Sequence, residues 1–336
     1  MIPFKVSEIR KTTPGLASVV ICCYNNWPDL EMTIESALCQ SYSPVEVIVV
    51  DNSSTDATST EVPRRFGERL RYIRQSFRRT VGAYNTGFQA SRGEYIQFVD
   101  GDDVLAPNKI AKQVEVFQAD PGLDIVYGDV RKFQSLAKVP DWEELATHPH
   151  TDMLKDVIIL DGIGFCTMGL LFHRKALEKV GPYDETVHVG DYDYWLRSAY
   201  AGCRFGHSPG TVMGFYRQHP GQMTRDSVAI QRGVEEVWRK ALGYVKEDTY
   251  RKLITRLLSE SMFHRTVCRY DKTRTTQEAL SHLAEVRATC PEFLSAPAYA
   301  IARAAIVVPG GTALFRSTLL RPIRQFFGSL LLRRTS

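Results

Sequence analysis

The stretch Val45 to Asp56 reads VEVIVVDNSSTD. Its first half is a short apolar, β-branched run with almost no alternation, the pattern of a strand buried on both faces. Its second half, Asp51-Asn52-Ser53-Ser54-Thr55-Asp56, is a cluster of turn formers and helix caps. A strand that stops in such a cluster predicts a helix next, and burial of both faces requires helices over each of them.

The neighbouring sequence repeats this unit. Ala17 to Cys23 (ASVVICC) is another such strand, and Pro28 opens a helix with Leu30, Ile34, Ala37 and Leu38 at helical spacing. Leu70 to Ile73 predicts a short strand, and Ala83 to Ser91 a helix stopped by Arg92-Gly93. Tyr95 to Val99 (YIQFV) predicts a strand ending in Asp100-Gly101-Asp102-Asp103. Pro107 starts a helix with Ile110, Val114 and Phe117 on one face, and Asp124 to Tyr127 begins a further strand. This wiring predicts an α/β fold with a Rossmann-like, mostly parallel central sheet flanked by helices. The clusters at Asp51 and Asp100 both follow carboxyl ends of strands, where open α/β sheets bind ligands.

Beyond about residue 130 the pattern is less regular. Ser135 to His150 reads as a polar loop, Arg174 to Val180 as a helix stopped by Gly181-Pro182, and Asp191 to Ala201 as an amphipathic helix. Val228 to about Glu292 reads as helices, which predicts a helical C-terminal extension. The expected division is an N-terminal extension 1–16, a domain 17–225 with halves meeting near 130, and a helical region 226–336.

Composition bounds the reading. The 336 residues suit about two structural units, and 44% hydrophobic with 24% charged residues is ordinary for a globular chain. A disordered, collagen-like or disulfide-scaffold protein is excluded. The net charge of +4 is too small to make nucleic acid the partner. Seven cysteines without CxxC spacing predict reduced core thiols in a cytosolic setting. No secretory signal or membrane-spanning run is expected. After Glu292 there is no acidic residue, while Arg303, Arg316, Arg321, Arg324, Arg333 and Arg334 are basic. This tail, apolar on one side and broken by Pro322 and Gly328, suits an anionic membrane surface, packing on the chain itself, or a subunit contact.

Several residues could carry chemistry. Three carboxylates crowded at Asp100, Asp102 and Asp103 repel one another unless a cation sits among them, and oxygen ligands suit magnesium or manganese; the same string also suits a loop with a helix cap. Asp51 could read the imide edge of a base or a ribose, or organise a capping turn. Asp191 near a helix start would be held ionised by the helix field, as a general base needs, or would serve as the cap. Tyr24 could stack on a base or pack in the core. His219 could meet a metal or a phosphate, or be an ordinary loop histidine.

In order and spacing these segments resemble the family 2 glycosyltransferases of the GT-A fold. The likeness covers residues ~17 to ~225 and rests on Ser18 to Asn25 (SVVICCYN), Glu46 to Asp56 (EVIVVDNSSTD), Gly82 to Gly87 (GAYNTG) and Gly93 to Asp103 (GEYIQFVDGDD). It continues through Gly181 to Glu185, Gly190 to Arg197 (GDYDYWLR) and Tyr216 to His219. The resemblance implies inverting transfer of a sugar from a nucleotide diphosphate-sugar, with a uridine donor as the default, to a saccharide or lipid-linked saccharide acceptor. Polysaccharide, lipopolysaccharide or glycoconjugate synthesis is the implied setting; the cysteine usage points to the cytoplasm, and the basic tail allows a peripheral place on the inner face of the cell membrane.

It also implies roles for residues. Residues 17–130 would be the nucleotide-binding half and 131–225 the acceptor half. Cys22, Tyr24, Asp51, Asn52, Arg79, Asp100 and Asp102 would bind the donor nucleotide. Asp102, Asp103 and His219 would hold Mn2+ or Mg2+. Asp191 would be the catalytic base, and Trp195 and Arg197 would build the acceptor-side helix. Three positions depart from the family pattern. Asn52 stands where an acid is usual, which bears on base selectivity. Tyr84 stands where an arginine is common, shifting a diphosphate contact to Arg78 or Arg79. Gly190 stands where an acid normally precedes the base. These departures keep one alternative in view: a catalytically inactive partner subunit that binds nucleotide sugars. A dinucleotide oxidoreductase is disfavoured, because Cys23-Tyr24-Asn25-Asn26 replaces a GxGxxG after the first strand.

Overall fold

A computed structural model of the chain describes residues 11–76, 80–133, 143–145 (backbone), 149–150, 152–159, 166–268, 276–291, 293–294 and 296–307. It divides into two units, Met1–Gln222 and Met223–Ser336. The first contains, in chain order, β1 (Thr13–Cys23), α1 (Asp29–Leu38), β2 (Val45–Asp51), α2 (Thr58–Phe66), β3 (Arg71–Arg74), α3 (Thr80–Ala90), β4 (Gly93–Asp100) and β5 (Val104–Leu105). It continues with α4 (Lys109–Ala119), β6 (Ile125–Phe133), β7 (Glu143–Leu145), α5 (Met153–Ile158), β8 (Leu170–His173), α6 (Arg174–Val180), α7 (Gly190–Tyr200) and β9 (Phe205–Arg217).

The strands form one mixed sheet in the order β3-β2-β1-β4-β8-β6-β9-β5, with β7 paired to β6. Its long ladders are parallel: β3, β2, β1 and β4 run side by side, and β6 runs with β9. The antiparallel ladders made by β8, β5 and β7 are short. The expected α/β architecture is therefore present, with an antiparallel insertion. Part of the stretch expected to be a polar loop is the strand β7, whose Leu145 pairs with Val130.

Burial explains the wiring. Val19, Val20 and Ile21 of β1, and Val49 and Val50 of β2, are wholly covered, with helices on both faces. Each such side chain contributes about 1.5–3 kcal/mol relative to exposure. α1 buries Leu30, Ile34 and Ala37 at the expected spacing, and α4 buries Ile110, Val114 and Phe117. β1 starts earlier than the apolar run because Thr13 pairs with Gly93 across an irregularity in the ladder.

α4 also buries two polar residues where the sheet changes from parallel to antiparallel. The Lys109 ammonium donates to the side-chain oxygens of Gln97 and Gln113, and to the Leu170 carbonyl at 3.2 Å. The Gln113 amide in turn donates to the carbonyls of Val126 and Gly169, at 3.0 and 2.9 Å. This network satisfies backbone groups that the switch between β4, β8 and β6 would otherwise strand in the core.

The second unit is helical: α8 (Ser227–Ala241), α9 (Asp248–Cys268), α10 (Thr276–Thr289) and α11 (Ala296–Val307). Buried Glu235 ties α8 to α9 by accepting from Ser261 Oγ and Arg265 Nη2, each at 2.7 Å. Among the described residues no helix is long and apolar enough to cross a membrane. Arg78, Arg79 and the basic tail beyond Val307 lie outside the described residues. No disulfide occurs among the described cysteines, but the expectation of core thiols fails at Cys39, which is exposed just past α1, and at the half-buried Cys290.

Candidate active site

Strand register collects the candidate residues on one edge of the sheet. Cys23 lies opposite Asp51 on β2, and Cys22 opposite Asp100 on β4. The two acidic turns thus flank the end of β1, roughly 10 Å apart at ordinary strand spacing. They are laced to the turn that follows β1. Asn25 (φ 54°) and Ser53 (φ 71°) both adopt left-handed backbone, unusual for residues with a Cβ. Asn25 Oδ1 accepts the Thr55 N–H at 2.7 Å, and the Asn25 N–H donates to Ser54 Oγ at 3.0 Å. Gly101 permits the tight approach on the other side, since a Cβ there would stand 2.8 Å from the Cys23 Cβ. Tyr24 is 47% exposed at this edge, which removes the core-packing reading. Cys22 is buried beneath, its thiol pushed well up by burial and then by the Asp100 charge.

The first turn is internally satisfied. Asp51 is fully buried; one carboxylate oxygen accepts the Ser54 N–H at 2.8 Å and the other the Tyr72 hydroxyl at 2.5 Å. Asn52, also buried, accepts from Gln75 Nε2 at 3.0 Å. In this arrangement Asp51 organises the turn, and a base would have to displace one of its partners.

The second turn is not balanced in that way. Burial pushes the Asp100 carboxyl up to about 7, with further increments from Asp102 and Asp191, against a hydrogen bond that lowers it. That bond comes from the Tyr84 hydroxyl at 2.6 Å. Asp102 is half-buried and its Oδ2 lies 2.9 Å from His219 Nε2. The end of β9 holds the turn in place: Arg217 Nε donates to the Asp102 carbonyl at 2.8 Å, and the Arg217 N–H to Asp103 Oδ1 at 3.0 Å. Asp103 is therefore buried, 1% exposed, with its carboxyl held far above the usual range by burial, Asp102 and Asp100. Asp103, the expected metal ligand, thus has its Oδ1 engaged by β9, and Asp102 is the more exposed of the two adjacent acids.

Asp191 is the second residue of α7, within the first turn, where the helix field favours a carboxylate. Its Oδ1 accepts the Tyr192 N–H at 2.8 Å. Asp191 lies near enough to add to the rise of the Asp100 carboxyl, and α3 touches the surroundings of both acids, with the Tyr84 hydroxyl on Asp100 and Val81 against Gly190. Trp195 and Arg197 are buried and build the helix from within. Arg197 Nε donates to Asp193 Oδ2 at 2.8 Å, and its terminal nitrogens to the carbonyls of Val180 and Pro182 at 3.1 and 2.9 Å.

Residues 18–181 match the family model described as Glycosyl transferase family 2. The chain carries a family 2 glycosyltransferase domain. The succinoglycan biosynthesis protein ExoO of Rhizobium meliloti (strain 1021) is 31% identical over 196 residues, 55% of this chain and 55% of that protein. The chain spans about half the length of the curated relatives it matches at this level. Two solved GT-A glycosyltransferases share the fold of this chain. One is S. aureus TarS 1–349 in complex with UDP-GlcNAc, with a TM-score of 0.58 and 14% identity, covering 88% of this chain and 87% of that one. The other is the mannosyltransferase PcManGT from Pyrobaculum calidifontis in complex with GDP-Man and Mn2+, with a TM-score of 0.55 and 21% identity, covering 97% and 88%. The family match stops at Gly181, short of Asp191 and His219.

Two departures of this glycosyltransferase domain from the family pattern have local causes. A Cβ at Gly190 would stand 2.7 Å from a Val81 methyl, so α3 leaves no room for an acid before Asp191. Tyr84 is turned inward to Asp100. Among the described residues no three Asp, Glu, His or Cys side chains converge as a finished metal site. The acids of the second turn nevertheless suit a divalent cation that brings oxygen ligands of its own, with Asp102 and His219 as the side chains presented to it. Arg217 is the residue that sequence reasoning missed. Its neighbour His219 drew attention, whereas nothing in the sequence shows that Arg217 reaches back to Asp102 and Asp103.

Proposed function

We propose that the chain transfers a sugar from a nucleotide diphosphate-sugar to an acceptor hydroxyl with inversion at the anomeric carbon. The observation that supports this reading is that α3 touches the surroundings of both acids, with the Tyr84 hydroxyl on Asp100 and Val81 against Gly190 beside Asp191. The acceptor hydroxyl attacks from the face opposite the leaving diphosphate, and Asp191 takes its proton as the bond forms. General-base assistance of this kind is typically worth ~10²–10⁴-fold. Asp102 and His219 would hold Mn2+ or Mg2+, which when bound supplies counter-charge to the departing diphosphate. The presence of Mn2+ in the complex of the Pyrobaculum enzyme, which shares the fold, supports that choice.

Exposed Tyr24 would stack on the base, with buried Cys22 beneath it and Asp100 near the ribose. A uridine diphosphate sugar is the first donor to try, since a structural neighbour binds UDP-GlcNAc, and a guanosine diphosphate sugar the second. A saccharide or lipid-linked saccharide acceptor, in polysaccharide synthesis, follows the likeness to ExoO. Work in the cytoplasm on the inner face of the membrane rests on the arginines of the tail. The inactive-subunit reading loses its motive, because Gly190 and Tyr84 answer to packing and hydrogen bonding and leave Asp191 in place.

A thermal-shift panel of nucleotide sugars with Mn2+ tests the reading. A specific donor at 100 times its Kd stabilises by about 2.7 kcal/mol and raises the melting temperature. A panel in which no nucleotide sugar shifts the transition contradicts it.

A further inference from the structure

One face of α3 supports both sides of the site. Val81, Tyr84 and Asn85 are spaced i, i+3 and i+4, so they project from the same side of the helix. Val81 packs against the bare Cα of Gly190, next to Asp191. Asn85 grips the loop ahead of α7 twice, accepting the Tyr183 N–H at 2.8 Å and donating to its carbonyl at 3.0 Å. Tyr84 lies between them, 2% exposed, with its hydroxyl on Asp100 Oδ1 at 2.6 Å. Its ring is 5.0 Å from Phe98 on β4 and 5.4 Å from Tyr183. Tyr183 stacks at 4.0 Å, nearly parallel, on Tyr194, which is one helical turn beyond Asp191. A row of packed rings thus runs from the strand that ends in Asp100 to the helix that begins with Asp191.

We propose that Tyr84 is a positioning residue with two separable actions: its hydroxyl sets the Asp100 carboxylate on the donor side, and its ring holds the start of α7 in register. The inference deepens the transferase reading above and rests on it. A hydroxyl orients a carboxylate without adding charge, so Tyr84 acts through geometry. The hydroxyl and the ring can be removed one at a time.

The test compares the full chain with Tyr84→Phe and Tyr84→Leu, using the nucleotide sugar and Mn2+ that the donor panel selects. Tyr84→Phe keeps the ring and loses the bond to Asp100. Its donor KM is expected to rise about 10-fold, with kcat within about threefold and a melting temperature lowered by a few degrees at most, the cost of one buried hydrogen bond. Tyr84→Leu also loses the ring and is expected to add a fall in kcat of about 10-fold or more. Should Tyr84→Leu fail to fold, Tyr183→Leu, which breaks the same row of rings without touching Asp100, takes its place and is expected to lower kcat with donor KM nearly unchanged. A Tyr84→Phe donor KM within twofold of wild type overturns the inference, as does a ring-deleting variant whose kcat matches that of Tyr84→Phe. A wild-type chain that binds no nucleotide sugar overturns the transferase reading itself. A wild type that binds, beside an equally tight Tyr84→Phe, overturns this inference alone.

Discussion

The turns after β2 and β4 are built from the same kinds of residues and occupy neighbouring positions on the sheet edge, yet they solve the problem of a buried carboxylate differently. Asp51 has a backbone N–H and a tyrosine hydroxyl on its two oxygens. Asp100, Asp102 and Asp103 crowd one short turn, where Asp102 pushes the carboxyls of Asp100 and Asp103 up, and Asp191 adds to the rise at Asp100. The first turn is a finished structural element. The second retains a charge imbalance that a cation and its ligands can relieve. Composition alone does not separate a stabilising turn from a working one; the partners of each oxygen do.

The largest effect that sharpens this contrast is expected at Asp102. Asp102→Asn should reduce turnover about 10²–10³-fold and remove Mn2+-dependent donor binding, as loss of one electrostatic group facing developing charge does. The melting temperature without metal should stay near that of wild type, and calorimetric titration with and without Mn2+ reads both. The next effect belongs to the other turn. Asp51→Ala strands the Tyr72 hydroxyl and the Ser54 N–H, and should cost about 2–3 kcal/mol, a fall of roughly 4–12 °C in melting temperature. An Asp51→Ala chain that melts normally but binds donor poorly would reverse the roles given to the two turns. The smallest effect is expected at Asp103. In Asp103→Asn the amide oxygen can still accept from Arg217, and repulsion from Asp100 and Asp102 is relieved. Mn2+ affinity should remain within about threefold of wild type, with a melting temperature at or above it; complete loss of Mn2+ binding would restore Asp103 as a ligand.

Much of the parallel core is readable in the sequence, because doubly buried strands at Ala17–Cys23, Val45–Val50 and Tyr95–Val99 leave continuous apolar runs between clear turn signals. The insertion of β8 between β4 and β6 is not readable: its antiparallel ladders contain only a few pairs and join residues far apart in the chain. Lys109 and Gln113 look like the wet side of an amphipathic helix, and nothing local shows that they close a polar network inside the core. For the candidate site, acids at the end of β4 and at the start of α7 single out Asp100, Asp102 and Asp191 in the sequence, and the segment after β9 adds His219. Residue types do not show which of two adjacent acids turns inward, and Asp103 does so because β9 offers it a backbone N–H. Tyr84 reads as a missing arginine until its contact with Asp100 is seen.

The central claim is that the acids after β4 and the acid at the start of α7 form a single catalytic site in which Asp191 accepts the proton. Asp191→Asn measures it most directly, since the side chain keeps its size and loses its basicity. Donor affinity is expected to stay close to wild type, with transfer reduced at least about 10²-fold. Near-normal transfer by the same variant would contradict it.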